Sequence, residues 1–406
     1  MFLPGQCERI LRQRRILRMC AKRLIASRVK WNHRTRDILP PLLAWFARNQ
    51  RDFPWRRTRD PYAIWLSEMM LQQTRAGSVI ACFQRFLRRF PTLDSLAAAS
   101  REEVLKLWSG LGYYRRAGQL HEASRRIAGG REKQIPSTYK ELIKLPGVGR
   151  YTAGAIASIA FGEAVPALDG NVMRVLTRLL AMPDDLARQA TRNKLQRIAA
   201  TLVPEKNPGD YNQAMMELGA TLCTPRHPAC GSCPLRRLCR ARDAGNPQMF
   251  PVKTARGKVP RVTCTSVAVR QNGKWLLLRR PAGGLWEHLW EFPTLSRSKQ
   301  DLSPAEVQRR IGRMLGLDAQ VKSQDIRLRH QLTHRRMEYR VFAATVIRRP
   351  EKISLPHCGP GRYEAYRWGA DLDEVPVAGI TRKILAEVRS NLVTRRHGKI
   401  ARLAGV

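Results

Sequence analysis

Four cysteines are the residues of this sequence whose spacing points most directly to chemistry. They follow the order C-x6-C-x2-C-x5-C, at Cys223, Cys230, Cys233 and Cys239, whereas the other five of the nine cysteines are scattered. Such crowding favours metal binding over disulfides. Four thiolates suit structural zinc or an iron–sulfur cubane. Structural zinc usually takes two close pairs, and one close pair with two outlying cysteines favours iron–sulfur.

A turn upstream of the cysteines has the pattern of a helix–hairpin–helix. The segment 145–155 reads LPGVGRYTAGA and joins two predicted helices through Gly147 and Gly149. Glycine permits positive φ and close backbone approach, so N–H groups at the start of the second helix can bind a DNA phosphate without reading the bases. Turning a helix corner would suit the same residues, but a basic helical domain favours DNA binding.

Two carboxylates are candidates for acid–base chemistry. Glu68 lies in the apolar segment IWLSEMML at 64–71, where desolvation should raise its pKa. A solvent-facing glutamate is the alternative, but its apolar neighbours leave little exposed surface. Asp169 precedes the segment GNVMRV, and by itself it is explained equally well as a helix N-cap.

The elements that must position these residues follow two periodicities. From residue 38 to about 220, apolar residues recur three and four apart, which predicts an all-α domain. Its helices are expected near 40–49, 62–75, 78–89, 101–107, 114–128, 149–161, 171–182, 190–202 and 209–222. Further on, β-rich runs at 262–269 and 275–278 flank the hairpin signal QNG, and 339–347 is another predicted strand. A helix near 379–389 closes this second, α+β domain.

The predicted organisation is two domains with basic extensions. The boundaries are a basic arm at 1–36, a helical catalytic domain at 37–240, a linker at 241–258, an α+β domain at 259–392 and a basic tail at 393–406. The arm holds eleven Lys or Arg against one acid. It could bind phosphates or act as an organelle presequence, but we favour an upstream translation start, since Met19 offers another.

The composition indicates a nucleic-acid partner. Lys and Arg number 74 against 32 Asp and Glu, a formal charge of +42, which selects a polyanion. No apolar run reaches the length of a membrane span, so no membrane partner is expected. No signal peptide is visible, and the expected location is cytoplasmic and nucleoid-associated.

These motifs together resemble the MutY family of adenine-removing glycosylases, in the endonuclease III superfamily. The segments WLSEMMLQQT at 65–74 and LDGNV at 168–172 are similar to that family's two catalytic segments, in family order around the glycine turn. The resemblance covers roughly residues 36–390. It implies an all-α helix–hairpin–helix glycosylase domain with a [4Fe–4S] loop, followed by an α+β Nudix-like (MutT-like) domain.

The resemblance also implies catalytic roles. Glu68 would protonate the flipped adenine and then activate water, and Asp169 would stabilise or transiently bond the anomeric carbon, a division of labour that glycosidases share. Tyr151 and Asn171 would support them. Bifunctional relatives carry a nucleophilic lysine at the Tyr151 position, so the resemblance implies a monofunctional enzyme.

Further positions would meet DNA. Gln73, Leu111 and Tyr113 match family positions that intrude beside the opposing base once the target base leaves the stack, although core packing is the alternative for Leu111. Trp55 and Arg56 match positions of the base pocket.

The carboxy-terminal domain is expected to recognise 8-oxoguanine. GLWEHLWEFP at 284–293 carries the Nudix resemblance, but the helix AEVQRRI at 305–311 is too poor in acid for catalytic Mg²⁺. HQLTHR at 330–335 aligns with the family's Phe-Ser-His loop, so Leu332, Thr333 and His334 are the expected recognition residues. Leu332 cannot stack as phenylalanine would, and Thr333 keeps a hydroxyl.

The predicted function is monofunctional hydrolysis of the N-glycosidic bond of adenine opposite 8-oxoguanine or guanine in duplex DNA, by a monomer. One alternative is an endonuclease III-like glycosylase and lyase, which Tyr151 and the second domain oppose. The other is a non-catalytic iron–sulfur DNA-binding protein, which the presence of both carboxylates opposes.

Overall fold

The computed structural model describes residues 35–254, 259–295, 302–348 and 350–403. Nearly all of the predicted basic arm at 1–36 lies outside the described residues, as does the end of the basic tail. Within the described ranges, no helix is long and apolar enough to cross a membrane.

Helices form the described chain from Thr35 to Thr221. They are α1 (Thr35–Asn49), α2 (Pro61–Leu71), α3 (Ala76–Arg89), α4 (Leu93–Ala98), α5 (Arg101–Leu107), α6 (Arg115–Ala128), α7 (Tyr139–Leu142), α8 (Arg150–Phe161), α9 (Gly170–Leu179), α10 (Gln189–Ala200) and α11 (Pro208–Thr221). Each of the nine predicted helices has a counterpart among them, with ends shifted by a few residues. The sequence pattern missed α4 and α7, because elements this short show no periodicity.

The chain divides into two compact units that do not follow a single cut in the sequence. The described residues up to Gln72 and those at 131–254 form unit 1, and those at 73–130 and from 259 onward form unit 2. Helices α3 to α6 therefore belong to the same unit as the carboxy-terminal α+β module. The predicted boundaries of the helical domain, linker and α+β domain, at 37–240, 241–258 and 259–392, stay predictions.

Unit 1 is built on the apolar faces of α1, α9, α10 and α11. Leu42, Leu176, Leu195 and Leu218 are representative of this core, and each is at most 1% exposed. The short helix α12 (Arg240–Asp243) follows the cysteines. Much of the predicted linker also packs on this unit, since Phe250 is buried and the N–H of Leu186 donates to the carbonyl of Val252 at 3.0 Å.

Unit 2 contains a seven-stranded mixed sheet. Its strands are β1 (Arg261–Gln271), β2 (Lys274–Arg279), β3 (Trp290–Glu291), β4 (Thr294–Leu295), β5 (Asp318–Gln331), β6 (Arg336–Arg348) and β9 (Ala365–Gly369), in the order β3-β2-β1-β6-β5, with β4 on β1 and β9 on β2. A small second sheet pairs β7 (His357–Cys358) with β8 (Gly361–Arg362). The helices of the module are α13 (Pro304–Leu315) and α14 (Gly379–Leu403).

The predicted β1–β2 hairpin is confirmed by positive φ at Asn272 and Gly273, the two turn residues, as a primed turn requires. Strand β5 was not predicted from the sequence. Its pairing with β6 shifts register between Ser323 and Ile326, which interrupts the alternation that reveals a strand.

Candidate active site and cysteine loop

Glu68 is buried in the apolar helix α2. Asp60 caps this helix by accepting from the backbone N–H groups of Tyr62 at 3.2 Å and Ala63 at 3.1 Å. All residues from Tyr62 to Met70 are buried, and Glu68 itself is 5% exposed. Burial raises its pKa to about 7, in agreement with the sequence prediction.

Tyr151 contacts the Glu68 carboxylate directly. Its hydroxyl donates to Oε2 of Glu68 at 2.6 Å and lies 3.2 Å from Sδ of Met216. Burial, together with the charges of Glu68 and Asp169, raises the pKa of Tyr151 well above its usual value, so the phenol stays protonated. The same hydrogen bond lowers the pKa of Glu68, whereas the nearby charge of Asp169 raises it.

Asp169 is both the N-cap of α9 and a neighbour of Glu68. Its Oδ1 accepts from the backbone N–H of Val172 at 2.7 Å, and its Oδ2 accepts from Nδ2 of Asn171 at 2.8 Å. Burial raises the pKa of Asp169, while these hydrogen bonds lower it. The two interpretations of this residue are therefore compatible, because capping fixes the carboxylate beside Glu68 and Tyr151.

Close backbone packing brings the segment before Asp169 onto α8. A Cβ at Gly154 would lie 2.3 Å from the carbonyl oxygen of Pro166, so this helix position needs glycine. Buried Asn212 holds the same segment by accepting from the N–H of Ala167 at 3.1 Å and donating to the carbonyl of Val165 at 2.9 Å. Together these contacts fix Asp169 relative to Tyr151, which lies at the start of α8.

Trp55 and Arg56 border a cavity of about 280 Å³ in unit 1. Trp55 stacks on Phe53 with ring centroids 4.9 Å apart. Arg56 donates to buried Glu217 at 2.8 Å, and its charge also lowers the pKa of Glu68. Arg51 holds Glu217 from the other side at 2.7 Å, a pair of ionic contacts that the sequence analysis did not predict.

The glycine turn opens onto the amino end of α8. Gly147 has φ +78°, which explains its glycine. Gly149 does not use the predicted positive φ: it has φ −89° as the N-cap of α8, and a Cβ there would meet nothing within 4 Å in the described structure. The predicted contact of Gly149 with a DNA phosphate stays a prediction.

The four cysteines converge on one cavity in unit 1. Cys223, Cys230, Cys233 and Cys239 all line it. Among the described residues, no set of three or more His, Cys, Asp or Glu side chains comes together as a site for a single metal ion. Four thiolates around one cavity can supply one ligand to each iron of a cubane. The donor set fits the cluster.

Arg178 organises the cysteine loop, and sequence reasoning missed it. It is 1% exposed, and its guanidinium donates to the carbonyls of Thr224 at 2.7 Å, Pro225 at 3.0 Å and Phe250 at 3.0 Å. Its Nη1 also lies 3.3 Å from Sγ of Cys223. A buried cation here offsets the negative charge that four thiolates bring.

Arg174, one turn earlier on α9, was also missed. It donates to the carbonyls of Cys223 and Gly219, both at 2.7 Å, and to Oδ1 of Asn171 at 2.9 Å. The sequence feature that could have revealed both residues is a pair of arginines four apart on a helix with a buried apolar face. Such arginines must find partners inside the protein.

The residues predicted to meet the opposing base all lie in unit 2. Tyr113 is 40% exposed with φ +48°, and Gln73 also has positive φ, whereas Leu111 is only 8% exposed. Thr333 and His334 are exposed in the turn between β5 and β6, and Leu332 is half-buried there. Glu68, Tyr151, Asp169 and Asn171, in contrast, are brought together in unit 1.

An acid–base pair of Glu68 and Tyr151 predicts a distinctive pH dependence. If protonated Glu68 delivers a proton to the departing adenine, the rate of adenine release should fall about tenfold per pH unit above a midpoint near 7. Tyr151→Phe removes a donor that lowers the Glu68 pKa, so this midpoint should move to higher pH. The measurement is the single-turnover rate across pH for both proteins, and a midpoint that stays in place or moves to lower pH would contradict the assignment.

Three protein families match parts of the chain. Residues 66–201 match the HhH-GPD superfamily of base excision DNA repair proteins. Residues 223–239 match the iron–sulfur binding domain of endonuclease III, and residues 265–387 match a NUDIX domain. These matches confirm the predicted fold class and the [4Fe–4S] cofactor.

Two curated relatives extend over much of the chain. The adenine DNA glycosylase of Mus musculus is 37% identical over 374 residues, which cover 78% of this chain and 72% of that protein. The adenine DNA glycosylase of Arabidopsis thaliana is 40% identical over 302 residues, covering 64% of this chain and 48% of that protein. The chain belongs to the adenine DNA glycosylase family and is an adenine-specific DNA glycosylase of base excision repair.

Proposed function

We propose that this enzyme hydrolyses the N-glycosidic bond of adenine opposite 8-oxoguanine or guanine in duplex DNA. It leaves the DNA strand uncut. The observation that carries the proposal is the hydrogen bond between the hydroxyl of partly buried Tyr151 and Oε2 of buried Glu68, which are 2.6 Å apart. A lyase needs an amine that can form a Schiff base. A phenol with a raised pKa, held on a carboxylate, cannot supply one.

Glu68 is the general acid of this proposal. Adenine is a poor leaving group, and a carboxyl group with a pKa of about 7 can keep and deliver a proton near neutral pH. Once the base has left, the same group, now ionised, can take a proton from the attacking water. Tyr151 orients the carboxyl through its hydrogen bond to Oε2.

Asp169 supplies the negative charge beside the sugar. Loss of the base leaves an oxocarbenium-like sugar, which an ionised carboxylate stabilises electrostatically or by a transient bond. The N–H of Val172 and the amide of Asn171 hold the two oxygens of this carboxylate in place. Asn171 is in this proposal a positioning residue, itself held by Arg174.

The carboxy-terminal module reads the opposing base in this proposal. Support comes from the exposed Thr333 and His334 in the β5–β6 turn. Nucleotide hydrolysis is disfavoured, because Glu306 of α13 is bound by Arg309 and by Arg310, the latter at 2.6 Å, and so is poorly placed to hold Mg²⁺.

Unit 1 would bind duplex DNA through contacts with its phosphates. The cysteine loop exposes Arg226, His227, Arg236 and Arg237, and the first turn of α8 offers backbone N–H groups. The cluster's contribution is to hold that loop in shape. We propose that the protein works on DNA as a monomer.

The test is a comparison of duplexes that carry adenine opposite 8-oxoguanine, adenine opposite guanine, or thymine glycol, each with and without alkali. We expect base loss on both adenine mispairs and strand cleavage only after alkali. Cleavage without alkali, a covalent adduct trapped by borohydride, or activity on thymine glycol would favour an endonuclease III-like lyase instead.

A further inference from the structure

The loop before α6 carries two of the residues proposed to meet the opposing base. This loop, residues 109–113, has positive φ at Gly110, Gly112 and Tyr113. The indole of Trp108 donates to the carbonyl of Gly112 at 3.2 Å. The guanidinium of Arg116 lies over the Tyr113 ring at 5.3 Å. The loop therefore has a defined shape, in which Tyr113 is exposed and Leu111 is turned inward.

Tyr114, the next residue, ties this loop to the carboxy-terminal module within unit 2. Its side chain is 6% exposed, and its hydroxyl donates to the carbonyl of Val377 at 2.9 Å. Val377 belongs to the segment before α14, and its carbonyl is more than 260 residues away in sequence. Because the contact is buried, separating the Tyr114 hydroxyl from the Val377 carbonyl would leave both groups without a hydrogen-bond partner, which is energetically costly.

A second contact joins the same two parts of unit 2. Trp290 of β3 donates its indole N–H to Oε1 of Glu102 on α5 at 3.2 Å, and its backbone N–H to the carbonyl of Pro376 at 2.9 Å. The segment that accepts from Tyr114 is thus bound to the sheet of the module. These contacts lie within one compact unit, which comprises the helical segment 73–130 and the module.

We propose that Tyr114 is a positioning residue through which the carboxy-terminal module sets the geometry of the 109–113 loop. The β5–β6 turn, which would recognise the oxidised base, and the 109–113 loop, which would intrude into the duplex, both belong to unit 2. Their contacts with DNA would therefore be coupled. This inference rests on the proposed function of the module. It adds that damage specificity depends on a buried hydroxyl that donates to the backbone of the module.

The experiment uses the full-length enzyme with its cluster and compares Tyr114→Phe with wild type. Single-turnover rates are measured on adenine opposite 8-oxoguanine and opposite guanine. We expect the variant to lose about tenfold on the 8-oxoguanine mispair, the scale of one buried hydrogen bond, and to change less than about twofold on the guanine mispair. Tyr211→Phe, a buried tyrosine of α11 in unit 1, is the matched control and should leave the ratio of the two rates unchanged.

A double-mutant cycle separates positioning from a general loss of stability. If His334→Ala already removes the preference for 8-oxoguanine, adding Tyr114→Phe should lower that preference no further. Glu102→Gln, which weakens the second contact, gives an independent variant should Tyr114→Phe fail to fold.

The outcomes are distinguishable. A wild-type enzyme without preference for 8-oxoguanine would overturn the proposed role of the module in reading the opposing base, while base loss on both mispairs would leave the proposed glycosylase activity intact. A wild-type preference that survives in both Tyr114→Phe and Glu102→Gln, or that falls additively with His334→Ala, would overturn the inference alone.

Discussion

Replacing Glu68 with glutamine should lower the single-turnover rate of adenine release by about 10³-fold or more, the upper range for loss of a general acid. Glutamine keeps the size of the side chain but cannot deliver a proton to the departing base. Its amide can still meet the Tyr151 hydroxyl, now 2.6 Å from the carboxylate. Affinity for duplex DNA should therefore change little.

The control for this variant is Glu122→Gln, on an exposed carboxylate of α6 that pairs with Arg126. It should keep the wild-type rate. The residual rate of Glu68→Gln should also no longer fall as pH rises above about 7, because the carboxyl group proposed to titrate there is gone. A rate within tenfold of wild type would show that another group supplies the proton.

Asp169→Asn should lower the rate by about 10²- to 10³-fold, the scale for losing one preorganised charge that stabilises the transition state. Asparagine is as good an N-cap as aspartate, so α9 should remain capped through the N–H of Val172. The variant thus removes the negative charge beside the sugar without removing the cap. Rates under single turnover and the free energy of unfolding are the two measurements.

Asp60→Asn is the matched control, since Asp60 caps α2 by the same kind of contact in the same unit. Both variants should unfold within about 1 kcal/mol of wild type, but only Asp169→Asn should lose activity. Equal activity in the two variants would show that Asp169 is a cap and nothing more.

Several features of the candidate site could be predicted from the sequence. The apolar neighbours of Glu68 predicted its burial and raised pKa, because nine successive buried residues of α2 leave it no solvent-facing side. The cysteine spacing predicted a metal loop, and the resemblance selected its cofactor. Residues such as Arg174 and Arg178 escaped prediction, because their partners are backbone carbonyls more than 40 residues away.

The sequence by itself determined the local chemistry of this protein: which side chains carry acid, phenol and thiol groups, and which helices and hairpins they lie on. These depend on neighbours within a turn or two of the chain. Only the tertiary structure decided that Tyr151 reaches Glu68, that the capping residue Asp169 lies near both, and that α3 to α6 join the carboxy-terminal module. Those facts depend on contacts between distant segments, which form only when the apolar faces of the helices and the sheet pack together.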